Sequence, residues 1–213
     1  MKIGVVGSGV VAQQLGLGLI KLGHEVKLGT RDVSKLNEWK KQAGGKASAG
    51  SNEEAAKFGD LILLATGWAG TENAINLAGK SNFSGKTVID VTNPLDFSKG
   101  SPPRLDASPG NSGGEKVQKW LPDSRVVKAF NIINAYVMIS PEREEGDPDL
   151  FICGNDKDAK KQVANFAKEW GWKSIIDMGD ISEAYWLETL TILWVHYAFM
   201  TNTWSHAFKL LKK

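Results

Sequence analysis

With 213 residues, the chain is long enough for a sizeable buried core and short enough for one domain, or one large domain with a small appendage. Its formal net charge of +2, from 26 basic and 24 acidic side chains, is too balanced to argue for nucleic acid or an anionic membrane as partner. The single cysteine, Cys153, excludes an intrachain disulfide and fits a reducing compartment.

In chain order, "KIGVVG" (2–7) reads as a short buried strand ending in glycine. The stretch "VVAQQLGLGLIKLG" (10–23) has apolar residues at helical spacing, with Leu15, Leu19 and Leu22 on one face and Gly23 as a stop. "EVKLGT" (25–30) predicts a second strand and "VSKLNEWKKQAG" (33–44) an amphipathic helix. "DLILLAT" (60–66) is a third strand, "TENAINLAG" (71–79) a helix, and "KTVIDVTNP" (86–94) a strand ended by Asn-Pro. Residues 97–114, rich in Pro, Gly and Ser, predict one long functional or mobile loop. Beyond it come a helix in "GEKVQKWLP", strands in "RVVKAFN" and "DLFICG", a helix over 159–171, a strand in "KSIIDMG" and a helical region over roughly 181–212. Alternating β and α segments predict an α/β fold of the Rossmann type: a doubly wound, mainly parallel sheet with a small C-terminal helical extension. The division expected is a dinucleotide-binding domain over 1–140 and a smaller α/β and helical region over 141–213 that completes the cleft.

Two longer apolar stretches bear on location. "MKIGVVGSG" does not read as a signal peptide, because its apolar run is short and broken by glycine. "YWLETLTILWVHYAFM" is interrupted by Glu188 and His196, and its apolar runs fall below the roughly 18–20 residues of a membrane span. The expectation is a buried helix in a soluble, cytoplasmic protein.

The chemistry begins at Gly7-Ser8-Gly9-Val10-Val11-Ala12, which matches G-x-G-x-x-A between a strand and a helix. Gly7 suits the tight turn, Gly9 the close approach of backbone to a pyrophosphate, and Ala12 close helix–strand packing, while the helix N-terminus offers N–H groups to phosphate. An acid about 20 residues further on would hold the ribose of NAD. Here that neighbourhood is Gly29-Thr30-Arg31, with no acid until Asp32. The hydroxyl of Thr30, the guanidinium of Arg31 and the ammonium of Lys35 predict a pocket for the 2′-phosphate of NADP(H). Ala65, Thr66 and Trp68 follow the third strand, where ligand clefts lie; Trp68 either shapes the pocket or packs. Asn93-Pro94 either presents an amide to the nicotinamide or only stops a strand.

Other motifs are weaker. Gly110-Asn111-Ser112-Gly113-Gly114 fits the hydrolase pattern G-x-S-x-G, but "RLDASP" before it is no central strand, so Ser112 reads as a helix N-cap with Glu115 as its capping-box partner. His24, His196 and His206 lack zinc spacing, and no metal site is expected; His196 reads as a core or pocket histidine. Cys153 reads as a buried inert thiol, the acidic loop "PEREEGDPD" as a solvated connection, and "KLLKK" as positive charge at a helix C-terminus. No Tyr-x-x-x-Lys pair is present, and no catalytic acid can be assigned. A flavin-like ring that accepts hydride needs no strong acid.

The stretches "KIGVVGSGVVAQQLG", "GHEVKLGTRD", "VIDVTNP", "SGGEKVQKWLPDSRVVKAFN" and "ETLTILW…AFKLL" together resemble the NADP oxidoreductases related to the 8-hydroxy-5-deazaflavin (coenzyme F420)-dependent NADP reductases. The N-terminal half is also similar to the cytosolic domain of transmembrane ferric reductases. The resemblance implies NADP(H) as cofactor, a flavin or deazaflavin as second substrate, and a homodimer joined through the C-terminal helix. It implies that Gly7 to Ala12 hold the pyrophosphate, that Thr30, Arg31 and Lys35 hold the 2′-phosphate, and that Ala65, Thr66 and Trp68 lie along the cofactor. Asn93 and Pro94 would sit beside the nicotinamide, and Trp68, Asn93 and Asn131 would line the acceptor cleft. The chain departs from the family pattern at "ATGWAG" and in the 97–114 segment with Pro102-Pro103. The competing expectation is a non-catalytic NADP(H)-binding sensor or interaction protein, with the nicotinamide cleft closed; a small carbonyl or imine compound is the other candidate acceptor.

Overall fold

The computed structural model describes residues 1–211. Its main sheet has ten-residue-or-shorter strands β1 (Lys2–Val6), β2 (Glu25–Gly29), β3 (Ala47–Gly50), β4 (Leu61–Leu64) and β5 (Thr87–Asp90). A two-stranded ribbon, β6 (Leu95–Asp96) and β7 (Arg104–Leu105), follows, and β8 (Arg125–Lys128), β9 (Asp149–Gly154) and β10 (Ser174–Asp177) complete the sheet. The order across the eight strands is β10-β9-β8-β5-β4-β1-β2-β3. All neighbours run parallel except β8 and β9. The sequences KIGVV, LILL and TVID are nearly continuous apolar runs because helices cover both faces of these strands.

Helices α1 (Val10–Lys21), α2 (Asn37–Ala43), α6 (Ala135–Met138) and α7 (Lys157–Glu169) lie on one face, where Leu15, Leu19, Trp39, Met138, Val163 and Phe166 meet Ile3, Val5 and Leu63. Helices α3 (Asn52–Phe58), α4 (Thr71–Ala78), α5 (Gly113–Trp120) and α8 (Ala184–Thr201) cover the other, where Ile75, Val117, Leu187 and Trp194 meet Val6, Ile62 and Val88. The doubly wound, mainly parallel α/β architecture is as expected.

The register decides where the site lies. Val6 stands opposite both Gly29 and Leu64, Leu64 opposite Asp90, and Asp90 opposite Lys128. These five strands therefore end in one row, and the segments after them share one rim. The chain leaves β1 for β2 on one side and returns to β4 on the other, which opens a crevice at the carboxyl ends of β1 and β4.

Three expectations are corrected. Residues 45–59, unassigned from the sequence, hold edge strand β3 and helix α3, the latter with a capping box between Ser51 and Glu54. The 97–114 segment is no structureless loop: it contains β7, and α5 starts at Gly113. The C-terminal helix ends at Thr201, not near 212, because Asn202 turns left-handed (φ 52°). The following residues run back over the fold. The Trp194 indole donates to the His206 carbonyl (2.9 Å), and the Leu210 N–H donates to Asp149 Oδ2 (2.6 Å). Lys209 to Leu211 of "KLLKK" are thus not helical, and Lys212 and Lys213 lie outside the described residues.

Candidate active site

Gly7 has φ 132°, a region open to glycine, and a Cβ there would run into the carbonyl of Ala65. The turn and the end of β4 are therefore in backbone contact. Around Gly9 the opposite holds: beyond its chain neighbours, no atom of the fold lies within 4 Å of the position a Cβ would take. Gly9 is the N-cap of the 12-residue α1, which has no side-chain cap and no acid in its first turn. Its first N–H groups and its positive dipole end face this open space. Ser8 and Gln13 brace the turn, the Gln13 amide donating to the Ser8 carbonyl (2.9 Å). Ala12 is buried and Val10 exposed. The residues fit a pyrophosphate.

Past β2, Thr30 is buried and its hydroxyl accepts the Asp32 N–H (3.2 Å). The Asp32 carboxylate caps the 3-10 turn Val33–Leu36: it accepts the Ser34 N–H (3.0 Å) and hydroxyl (2.6 Å), and these bonds hold it below the ordinary aspartate range. This acid is thus committed to Ser34. Arg31 and Lys35 are exposed, and among the described residues neither forms an ion pair.

Ala65 and Thr66 follow β4 at the crevice. The Thr66 and Thr71 hydroxyls bond each other at 2.9 Å and tie this turn to α4. Trp68 stacks on Trp120 of α5 (centroids 5.7 Å apart), with Lys116 Nζ over its ring at 5.6 Å. Its indole thus packs on the far wall of the turn, against α5.

On the other side, Asn93 and Asn131 meet across the rim, 38 residues apart. The Asn93 amide donates to the Asn131 carbonyl (2.9 Å), and the Asn131 amide donates to Asn93 Oδ1 (3.0 Å) and to the Thr191 hydroxyl of α8 (3.0 Å). Asn131 Oδ1 is buried without a partner. Phe130, just before it, sits left-handed (φ 60°), its ring held edge-on by Trp170 (5.4 Å) and Trp172 (6.3 Å). For a bulky residue that backbone is strained, and it turns Asn131 towards Asn93.

Behind this pair lies a group that sequence reading missed. Asp90, Lys128 and Glu188 are wholly buried, with Lys128 Nζ 2.9 Å from Asp90 and 2.8 Å from Glu188. Glu188 also accepts the N–H groups of Gly113 and Gly114 (2.9 Å each). A Cβ on Gly113 would stand 2.8 Å from Glu188 and one on Gly114 2.6 Å from the Ala184 Cβ, so this helix start must be glycine. The signal was present: "VID", "VVK" and "WLE" each place a charge within or beside an apolar run.

The decoys resolve. Ser112 is buried, caps α5, and its hydroxyl is 2.7 Å from Glu115, as expected of a capping box. Cys153 is buried, and burial pushes its thiol up to about 12. His196 is corrected: it lies on the exposed face of α8, neither in the core nor in the cleft. Among the described residues there is no cluster of three or more metal-ligating side chains, and no helix is long and apolar enough to cross a membrane.

A glycine turn open at a helix start, beside a basic pocket and an amide-lined rim at the switch point, defines a Rossmann-type dinucleotide-dependent protein. Residues 2–94 match the family described as NADP oxidoreductase coenzyme F420-dependent. Over 204 residues the chain is 31% identical to the F420-dependent NADP reductase of Methanocaldococcus jannaschii, covering 91% of this chain and 90% of that protein. The crystal structure of an Arthrobacter sp. FB24 protein assigned to the F420-dependent NADP reductases superposes with a TM-score of 0.94 at 36% identity, over 100% of both chains. Metalloreductase STEAP3 of Rattus norvegicus is 29% identical over 194 residues, 90% of this chain but 36% of that protein. The chain belongs to the coenzyme F420-dependent NADP oxidoreductase family and is an NADP-dependent oxidoreductase.

Proposed function

We propose that the chain passes a hydride between NADP(H), seated across the switch point, and a deazaflavin acceptor of the F420 class. The observation that carries this is the pocket after β2, where Asp32 is tied to Ser34 and Arg31 and Lys35 are left to an anion. The N–H groups from Gly9 to Ala12 hold the pyrophosphate, with Gly7 and Ser8 shaping the turn. Thr30, Arg31 and Lys35 hold the 2′-phosphate. Ala65 and Thr66 line the path between the two ends, while Trp68, in the turn after β4, braces that path by stacking on Trp120 of α5. Asn93, Pro94 and Asn131 face the nicotinamide and the acceptor, with the Asn93 and Asn131 amides bonded to each other at that end. The nicotinamide supplies the hydride chemistry, and the protein contributes placement of two flat rings.

The test is NADPH oxidation followed with F420, FMN and a cyclic imine as acceptors. Turnover fastest with F420 is the expected result. Oxidation accelerated by none of the three would sink the reading.

A second copy of the chain fits the outward face of α8. Trp186 and Leu193 are each 57% exposed there and, with Phe151, Met178 and Leu190, line an apolar groove. Sedimentation should show a dimer that Trp186→Glu with Leu193→Lys converts to monomer; a monomeric parent protein would refute this. We read the location as cytoplasmic, which the lone buried thiol fits; recovery from a periplasmic or membrane fraction would count against it.

A further inference from the structure

Three ions sit at the centre of the molecule, and none belongs to a step described above. The Lys128 ammonium faces three oxygens: it donates to Asp90 Oδ2 (2.9 Å) and to the Thr92 carbonyl (2.6 Å), and it pairs with Glu188 Oε1 at 2.8 Å. Asp90 turns its other oxygen to the Thr92 N–H (2.9 Å) and hydroxyl (2.6 Å). Every polar group of Thr92 is thus held by one of two ions, and the next residue is Asn93. Glu188 lies three positions before Thr191 on the inward side of α8, and Thr191 receives the Asn131 amide. Two paths out of the cluster, through Thr92 and along α8 through Thr191, end at the Asn93–Asn131 pair; a third runs from Glu188 to the N–H groups of Gly113 and Gly114 at the start of α5.

A buried ion cluster is a poor way to gain stability, since well-packed apolar side chains do as well. What an apolar set would not do is orient a carbonyl, an N–H and a hydroxyl in the residue before Asn93. We propose that Asp90, Lys128 and Glu188 are positioning residues for hydride transfer, holding the Asn93 and Asn131 amides in register at the nicotinamide end of the cleft. This rests on the reading that places the nicotinamide against those amides.

The test compares two ligands by tryptophan fluorescence: NADPH, and 2′-phospho-ADP-ribose, which keeps the phosphates and adenosine but lacks the nicotinamide. The variant is the neutral, near-isosteric triple Asp90→Asn, Lys128→Met, Glu188→Gln. It should bind 2′-phospho-ADP-ribose within about two-fold of the parent, bind NADPH about ten-fold or more weaker, and lose kcat. An unchanged ratio of the two affinities, or equal weakening of both, would show a merely structural cluster. Should the triple variant not fold, Glu188→Gln alone is read by the same ratio, with a loss of about three-fold or more expected and an unchanged ratio overturning the proposal. A parent protein that gains nothing from the nicotinamide overturns both this inference and the placement it rests on. A parent that does gain, with variants that lose nothing, overturns the inference alone.

Discussion

Lys128→Met alone should be the most damaging single substitution in the cleft, lowering the free energy of unfolding by about 3–5 kcal/mol at neutral pH. The reason is the pair of carboxylates it strands. Asp90 and Glu188 are 0% exposed, and both lean on the same ammonium. Burial by itself would lower the Lys128 ammonium; the two carboxylates outweigh it and hold it above the ordinary lysine value of 10.5. A group raised in this way contributes stability that is fully present below the ordinary value and lost only as pH climbs through the folded one. In the parent protein this lysine therefore adds no pH dependence between about pH 5 and 9. Urea unfolding of parent and variant at neutral pH measures the loss. A loss below about 1 kcal/mol would mean that water or a backbone shift relieves the cluster. Since whole domains of this kind are stable by only about 5–15 kcal/mol, the variant should still fold but with little in reserve.

The same cluster shows what the amino-acid order makes legible and what it hides. The phosphate turn is readable because its parts are contiguous: Gly7, Gly9 and Ala12 answer to one strand end and one helix start. Strands β1, β4 and β5 are readable because burial on both faces leaves them almost uniformly apolar. Edge strand β3 is Ala-Ser-Ala-Gly, which has no such run, and short α3 is announced only by Ser51 and Glu54, a capping pair that is visible in sequence once looked for. The tail "AFKLL" has helical spacing, yet Asn202 turns the chain and pairing with Asp149, some 60 residues away, decides its path. Lys128 meets Asp90 over a separation of 38 residues and Glu188 over 60, contacts that no local pattern carries. A charge inside an apolar strand is nonetheless a signal, because a buried lysine must have partners. Two such charges on adjacent strands, Asp90 and Lys128, are in register once the sheet order is known.

The basic pocket yields the other large effect. Replacing Arg31 and Lys35 together with alanine should weaken NADPH binding by about 3–4 kcal/mol, on the order of a hundred-fold or more, while leaving NADH affinity nearly unchanged. Each side chain is exposed and unpaired among the described residues, so neither substitution strands a buried group or removes a packed one. The loss would be that of charge-assisted bonds to a dianion, with Arg31 contributing more because its planar fork matches two phosphate oxygens at once. Arg31→Lys should therefore recover only part of the affinity. Asp32 is the opposing case. Its carboxylate is spent on Ser34, so Asp32→Asn, which keeps the capping oxygen, should leave the preference for NADPH as it is. If instead Asp32→Asn lowers NADH affinity specifically, the acid reaches the ribose and the pocket reads NAD. If the double variant still prefers NADPH, the 2′-phosphate is held by Thr30 and backbone N–H groups. Fluorescence titration of the eight tryptophans with both nucleotides distinguishes these outcomes. It also separates the two ends of the site: Arg31 and Lys35 govern 2′-phospho-ADP-ribose and NADPH alike, whereas the ions behind Asn93 govern only the ligand that carries a nicotinamide.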